Sequence, residues 1–279
     1  MSNKKRVLVT GLSGVVGSAI RSEFEERYDL SSLSRYGTEG LPDDRNYIGN
    51  IAEIDTLIPA FEEHDTVLHL AADRSATADR ESALRNNFIG TYNVFEAAKR
   101  TGVKRVVFGS SQHSVGGFYL DEPYASIFRG EFDKVKRPYT LLDETARIRP
   151  SGYYGASKAY GEALGSYYND YHGLSSIHIR IGFTISTDDP GFAGAALALW
   201  LSHRDTAQIC YKAVDAPEDI RYTVVYAMSN NYWSIFTTEK AQRLLGYEPQ
   251  DDAGPELNPD SVAADRDATE FKQHYEDPE

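Results

Sequence analysis

Residues 6–17, RVLVTGLSGVVG, restrict the possible folds more than any other stretch of this chain. A β-branched run leads directly into three glycines spaced three apart, Gly11, Gly14 and Gly17. Between a strand and a helix each glycine has its own task. Gly11 permits the tight turn, Gly14 lets backbone approach a pyrophosphate, and Gly17 lets helix and strand pack closely. The helix beyond the turn offers unpaired N–H groups and a partial positive charge to phosphates. The pattern predicts a dinucleotide site, but a glycine triplet is common and its weight depends on the pattern of the remaining chain.

That pattern is an alternation. Short apolar runs at 66–72 (TVLHLAA), 103–111 (VKRVVFGSS) and 175–182 (SSIHIRIG) are separated by longer helix-compatible segments at 81–102 and 154–173. The runs lack strict polar alternation, as expected for strands covered on both faces. Together they predict an α/β protein with a doubly wound parallel sheet, the Rossmann arrangement. After Gly182 the elements shorten (GAALALWLSH, DTAQICYKAV, YTVVYAM, TTEKAQRLLGYEP), which predicts a small C-terminal substrate-binding cap on the sheet's carboxyl edge. The expected organisation is a dinucleotide-binding domain with the catalytic residues over 1–182, cap elements over 183–250, and an acidic tail over 251–279.

Charge limits the partners. A formal net charge of −13 argues against nucleic acid or anionic membranes, which need a basic face, and leaves a small molecule. An acidic, lysine-poor surface is also the composition of proteins adapted to high salt. No apolar run approaches the roughly 20 residues that span a bilayer, and MSNKKRVLVTG passes straight into a strand without room for a signal peptide. A cytoplasmic protein is expected. The single cysteine, Cys210, allows no internal disulfide and reads as a core residue. The histidines lack ligand spacing, so no metal is expected.

The end of the second strand selects the dinucleotide. An acid there would bond the ribose hydroxyls of NAD, whereas an arginine accommodates the 2′-phosphate of NADP. In YDLSSLSRYGTEG the strand-end residues are Ser34 and Arg35, with no acid until Glu39. A hydroxyl and a guanidinium suit a phosphate dianion. NADP is the expected cofactor, with NAD possible.

The stretch SGYYGASKAYGE sets Tyr153 and Tyr154 before Lys158. On a helix residues four apart share a face, so Tyr154 meets Lys158 and Tyr153 does not. An ammonium beside a phenol favours the phenolate, which can take a proton from a hydroxyl. With 19 tyrosines in the chain, a lone Tyr-x-x-x-Lys match arises easily and needs company.

The company is a series of motifs in order: T-G-x-x-G-x-x-G, HLAA, NNFIGTYNVFEAAK, FGSSQHSVGG, Tyr154-x-x-x-Lys158, RIG and AQRLLGYEP. Over nearly its whole length the chain resembles an extended short-chain dehydrogenase/reductase. Within that superfamily SSQHSVG and LWLSHRD resemble segments of uronate dehydrogenases and related sugar 1-dehydrogenases. The resemblance implies a catalytic set of Ser111, Tyr154 and Lys158, with Ser111 orienting the substrate hydroxyl and Tyr154 as acid/base. For the cofactor it implies Gly11, Gly14, Val15, Val16, Gly17, Ser34, Arg35, Asn50, Ile51, Leu70, Ala71, Ala72, Asn87, Tyr154, Lys158 and Ile181. For the sugar it implies Arg74, Ser75, Ser111, Gln112, His113, Tyr154 and Phe183. It also implies a homo-oligomer, either dimer or tetramer.

Two departures from the uronate pattern bear on the substrate. The serine after R-I-G and the arginine before W-F-S-H, which hold the carboxylate in those enzymes, are replaced by Phe183 and, by the simplest gap placement, Ala195. An unpartnered buried carboxylate is costly. The expected substrate is therefore a neutral sugar of the L-arabinose type, oxidised at the anomeric C1 hydroxyl to a lactone, as in sugar-oxidising salt-loving microbes. The alternatives are a uronate dehydrogenase, with Arg74 or Arg204 holding the carboxylate, a nucleotide-sugar epimerase or dehydratase, and a non-catalytic redox sensor that binds the dinucleotide.

Overall fold

The computed structural model describes residues 4–74, 80–258, 260 and 261. Ser75, expected at the sugar, lies outside them. The chain opens with β1 (Arg6–Thr10), α1 (Val15–Arg27), β2 (Asp29–Ser34), β3 (Asn46–Ile48), α2 (Ile58–Glu62) and β4 (Thr66–His69). Helix α3 (Arg80–Ser82) continues through a π-helical stretch, Ala83–Ile89, into α4 (Gly90–Thr101), followed by β5 (Arg105–Ser111). A 3-10 helix, Gln112–Leu120, and α5 (Tyr124–Phe128) lead to α6 (Tyr153–His172) and β6 (Ser175–Ile181). The chain then forms α7 (Gly194–Leu199), α8 (His203–Val214), β7 (Tyr222–Ala227) and α9 (Glu239–Leu245).

Seven strands form one parallel sheet in the order β3-β2-β1-β4-β5-β6-β7. The expected doubly wound fold is present, and its order reverses between β1 and β4, where the strand ends leave a crevice. Every residue of β5 and β6 is buried, in keeping with their unbroken apolar runs. One face is closed by α1, α8 and α9 through Ile20, Phe24, Ile209, Cys210 and Leu245. The other is closed by α2, α4 and α6 through Phe61, Val94, Phe95 and Tyr168.

The second half departs from the expected division. YTVVYAM forms β7, which pairs with β6 as the last strand of the main sheet, and α8 is its crossover helix beside α1. The cap is instead a separate apolar cluster drawn from both halves. It joins Val115, Tyr119, Ile127 and Phe128 to Leu197, Met228, Trp233 and Phe236. Residues 112–128 therefore belong with the cap, although they lie within the range assigned to the dinucleotide domain.

The acidic segment after 250, expected as a solvated tail, is exposed at 252, 255–258 and 260, yet hydrogen bonds tie it to the body of the protein. Trp233 Nε1 donates to Pro255 O at 2.7 Å, and Asn258 N donates to Gly191 O at 2.9 Å. Asp205, fully buried, accepts from the backbone N–H groups of Gln250 (2.9 Å) and Asp251 (3.1 Å) and from the Ser229 hydroxyl (2.7 Å). The start of the segment is held because its backbone N–H groups find a buried carboxylate in α8. Among the described residues no helix is long and apolar enough to cross a membrane.

Candidate active site

The crevice between β1 and β4 opens into a cavity of about 630 Å³ along the carboxyl ends of the strands. Gly11, Gly14 and Gly17 form its floor, and their geometry explains the motif. Gly11 has φ +80°, a left-handed conformation costly for other residues, and a Cβ there would stand 2.8 Å from Ala71 N. A Cβ on Gly17 would stand 2.3 Å from Leu12 O, so the first turn of α1 sits directly on the loop. Gly14 is the N-cap of α1 and brings no side chain between the cavity and the helix N–H groups. At the rear, Thr10 Oγ1 meets His69 Nδ1 at 2.7 Å and ties the ends of β1 and β4 together. Burial draws His69 down to about 3, so this imidazole is neutral at physiological pH.

At the other end of the dinucleotide groove Ser34 and Arg35 line the wall with Tyr36 and Gly37. The Arg35 guanidinium lies 5.5 Å from the Tyr36 ring centroid, and Ser34 Oγ is buried without a hydrogen-bond partner. An unpaired hydroxyl on a groove wall is open to a ligand or to water. The glycine floor and this hydroxyl both fit a dinucleotide.

Helix α6 brings Tyr154 and Lys158 to the cavity. Tyr154 lines the cavity in its first turn, while Tyr153 is 61% exposed, so the face argument separates the two tyrosines as expected. Lys158 is buried one turn on, with Nζ donating to Gly109 O at 2.7 Å and lying 5.3 Å from the Tyr154 ring centroid. Burial draws its ammonium from 10.5 down to about 7. The helix lies close to the sheet because glycines face it. A Cβ on Gly155 would stand 2.2 Å from His113 O, and one on Gly161 would stand 2.4 Å from the Phe108 ring.

Ser111 ends β5 and its Oγ caps the adjoining 3-10 helix, accepting from His113 N at 3.2 Å. The imidazole of His113 meets Ser151 Oγ through Nδ1 at 2.8 Å and packs edge-on against Tyr154, ring centroids 5.6 Å apart. Gln112 Oε1 accepts from the Tyr119 hydroxyl, which anchors it to the cap. Phe183 and Ala195 form the cap-side wall.

Of the residues expected at the site, Val15, Val16, Asn50, Ile51, Leu70, Ala71, Ala72, Arg74 and Ile181 all line this cavity. Asn87 does not. Its Nδ2 donates to Asp73 O and its Oδ1 accepts from Asp73 N, both at 2.7 Å, so the amide is committed to holding the loop that carries Arg74. Arg204, considered as a carboxylate partner, is exposed and paired with Asp251 outside the cavity. Thr184 and Asp73 line the cavity although the sequence motifs did not mark them, and so does Asn86, which lies in the NNFIGTYN motif but was not singled out. Thr184 directly follows Phe183 in GFT, which was the available signal.

A parallel sheet with a glycine-floored crevice and a Tyr-x-x-x-Lys helix at its edge suits a nicotinamide dinucleotide, and the chain belongs to the NAD dependent epimerase/dehydratase family, whose profile matches residues 7–203. A relative from Haloferax volcanii, "NAD-dependent glucose-6-phosphate dehydrogenase", is 34% identical over 88% of this chain and 94% of its own. A second from the same organism, "L-arabinose 1-dehydrogenase (NAD(P)(+))", is 32% identical over 89% of this chain and 97% of its own. Among solved structures, uronate dehydrogenase from Agrobacterium tumefaciens superposes with a TM-score of 0.75 at 26% identity, covering 92% of each chain. All three of these similar proteins are named as dehydrogenases.

Proposed function

We propose that the chain is an aldose 1-dehydrogenase that prefers NADP and converts a neutral sugar of the L-arabinose type to its lactone. The observation that carries this reading is the cap-side wall of the cavity, where Phe183 and Ala195 present no charge to the sugar. The neutral L-arabinose named for one relative supports it. In this reading each side chain has one role. Ser111 donates to the anomeric oxygen and fixes its direction toward Tyr154. Tyr154, as the phenolate that Lys158 stabilises, takes the C1 hydroxyl proton and becomes the phenol. His113 and Gln112, each held by a second residue, meet other sugar hydroxyls. When bound, the dinucleotide supplies the hydride acceptor at its nicotinamide C4. The preference for NADP is supported by Ser34 and Arg35 at the groove end, where no acid stands to repel a 2′-phosphate.

A second reading rests on Arg74, a cation on the same cavity wall, which would suit an anionic sugar, either a hexuronate or a sugar phosphate. Initial rates with L-arabinose, D-galactose, D-glucuronate, D-galacturonate and D-glucose 6-phosphate, each with NAD and NADP in high salt, separate the readings. The neutral-sugar reading expects kcat/KM at least ~100-fold higher for a neutral aldose than for any anionic one. Equal or better activity on an anionic sugar refutes it.

A further inference from the structure

A buried polar group lies behind Tyr154 and Lys158 and reaches the cavity wall only at Ser110. Glu162, one helical turn after Lys158, receives the Ser110 hydroxyl on Oε1 at 2.6 Å. It also receives Arg180 Nε on Oε1 at 2.9 Å and Arg180 Nη2 on Oε2 at 2.8 Å. Arg180 Nη1 in turn donates to the Tyr226 hydroxyl at 2.8 Å. Ser110 pairs in register with Arg180, and Arg180 with Tyr226, so the three side chains stand in a row across β5, β6 and β7. Both charged side chains are almost fully enclosed, at 3% exposure for Arg180 and 6% for Glu162.

An ion pair this deep is a poor source of stability compared with apolar packing of the same shape, and its geometry is its distinctive product. The residues it joins flank the site: Ser110 precedes Ser111, Arg180 precedes the cavity-lining Ile181, and Glu162 comes one turn after Lys158. Small residues at the α6 interface, Gly155, Gly161 and Gly165, bring the helix close but do not interlock with the sheet along the helix axis. A bidentate carboxylate–guanidinium pair has one distance and one angle, and so supplies the axial stop that glycines lack.

We propose that Glu162 and Arg180, assisted by Ser110, are positioning residues that fix the register of α6 so that Tyr154 and Lys158 stay aligned with Ser111. The proposal rests on the proposed dehydrogenase chemistry of that site. Its test uses the full-length enzyme with the best sugar found for the wild type. Three variants are compared: Glu162→Gln, Ser110→Ala, and the double variant Glu162→Met/Arg180→Met, which replaces the pair by apolar packing. Active sites are counted by dinucleotide binding, so misfolded protein does not enter kcat. The expected result is a kcat per binding site lowered at least 10-fold in Glu162→Gln and in the double variant. The ionisation limb of the kcat–pH profile moves by half a pH unit or more, and the sugar KM changes less than three-fold. The double variant regains thermal stability without regaining kcat. Ser110→Ala, the mildest change, keeps the test valid if the others fail to fold, and is expected to lose kcat several-fold with the same displaced limb. Unchanged kcat per site with an unmoved limb, or recovery of kcat in the double variant, overturns the proposal. A wild type that oxidises no sugar refutes the dehydrogenase reading instead.

Discussion

Replacing Lys158 by methionine is expected to stabilise the ligand-free protein at neutral pH while abolishing turnover. The side chain is 4% exposed, and burial alone holds its ammonium near 7 against an ordinary 10.5. In the unfolded chain the amine is protonated at all pH values below about 10, whereas in the folded chain it resists protonation until about pH 7. Stability from this group is thus fully present above about 10.5 and is lost as pH falls toward about 7, below which the loss is constant. At about 1.4 kcal/mol per pH unit the full penalty is on the order of 5 kcal/mol. Methionine fills much of the same volume without it, but leaves Gly109 O without the Nζ donor, at a cost of about 1–3 kcal/mol. The net gain at pH 7 is then roughly 2–4 kcal/mol, or an increase of about 5 °C or more in Tm. Urea unfolding of wild type and Lys158→Met at pH 7, 8 and 9 measures it. The advantage of the variant should shrink steadily as pH rises. A variant less stable at pH 7, or an advantage independent of pH, refutes the argument that burial is charged against this lysine.

Three further outcomes can be checked by kinetics and binding. Tyr154→Phe should lower kcat by at least ~100-fold, while Tyr153→Phe, on the exposed face, should stay within a few-fold; equal losses would reject the helix-face assignment. Arg35→Ala should weaken NADP roughly 10-fold or more and leave NAD nearly unchanged, measured by fluorescence titration, whereas parallel weakening would make Arg35 a structural residue. Asn87→Ala removes both clamps on Asp73 and should cost about 2–3 kcal/mol of stability by urea unfolding. A change within about 0.5 kcal/mol, the ordinary range for an inconsequential surface substitution, would show that the loop holds itself.

The legible parts of the chain are those whose cause is local. Each glycine of the first turn answers to atoms within the motif or just across it, and Tyr154 and Lys158 answer to helix pitch alone. The cap is hidden because its cluster unites residues near 115–128 with residues near 197–236, and no periodicity links segments so far apart. In sequence β7 resembles a cap element because it comes after the irregular stretch 183–193 and the short helix α7. Asn87 carries a family expectation of a site residue, yet its amide is spent on backbone fourteen positions earlier. Glu162 resembles any solvated helix glutamate; only the glycines at 161 and 165 mark its face as one that meets the sheet.

The hydrogen bonding of Asp205 separates two kinds of carboxylate in this acidic chain. Surface acids repel one another through water, and dissolved ions weaken that repulsion. Asp205, itself fully buried, is answered by two peptide N–H groups and a hydroxyl. Lowering the salt concentration would therefore strain the protein from the outside while leaving the attachment of residues 250–251 intact. Loss of structure on desalting should begin at exposed helices, with the seam between α8 and the C-terminal segment among the last parts to open.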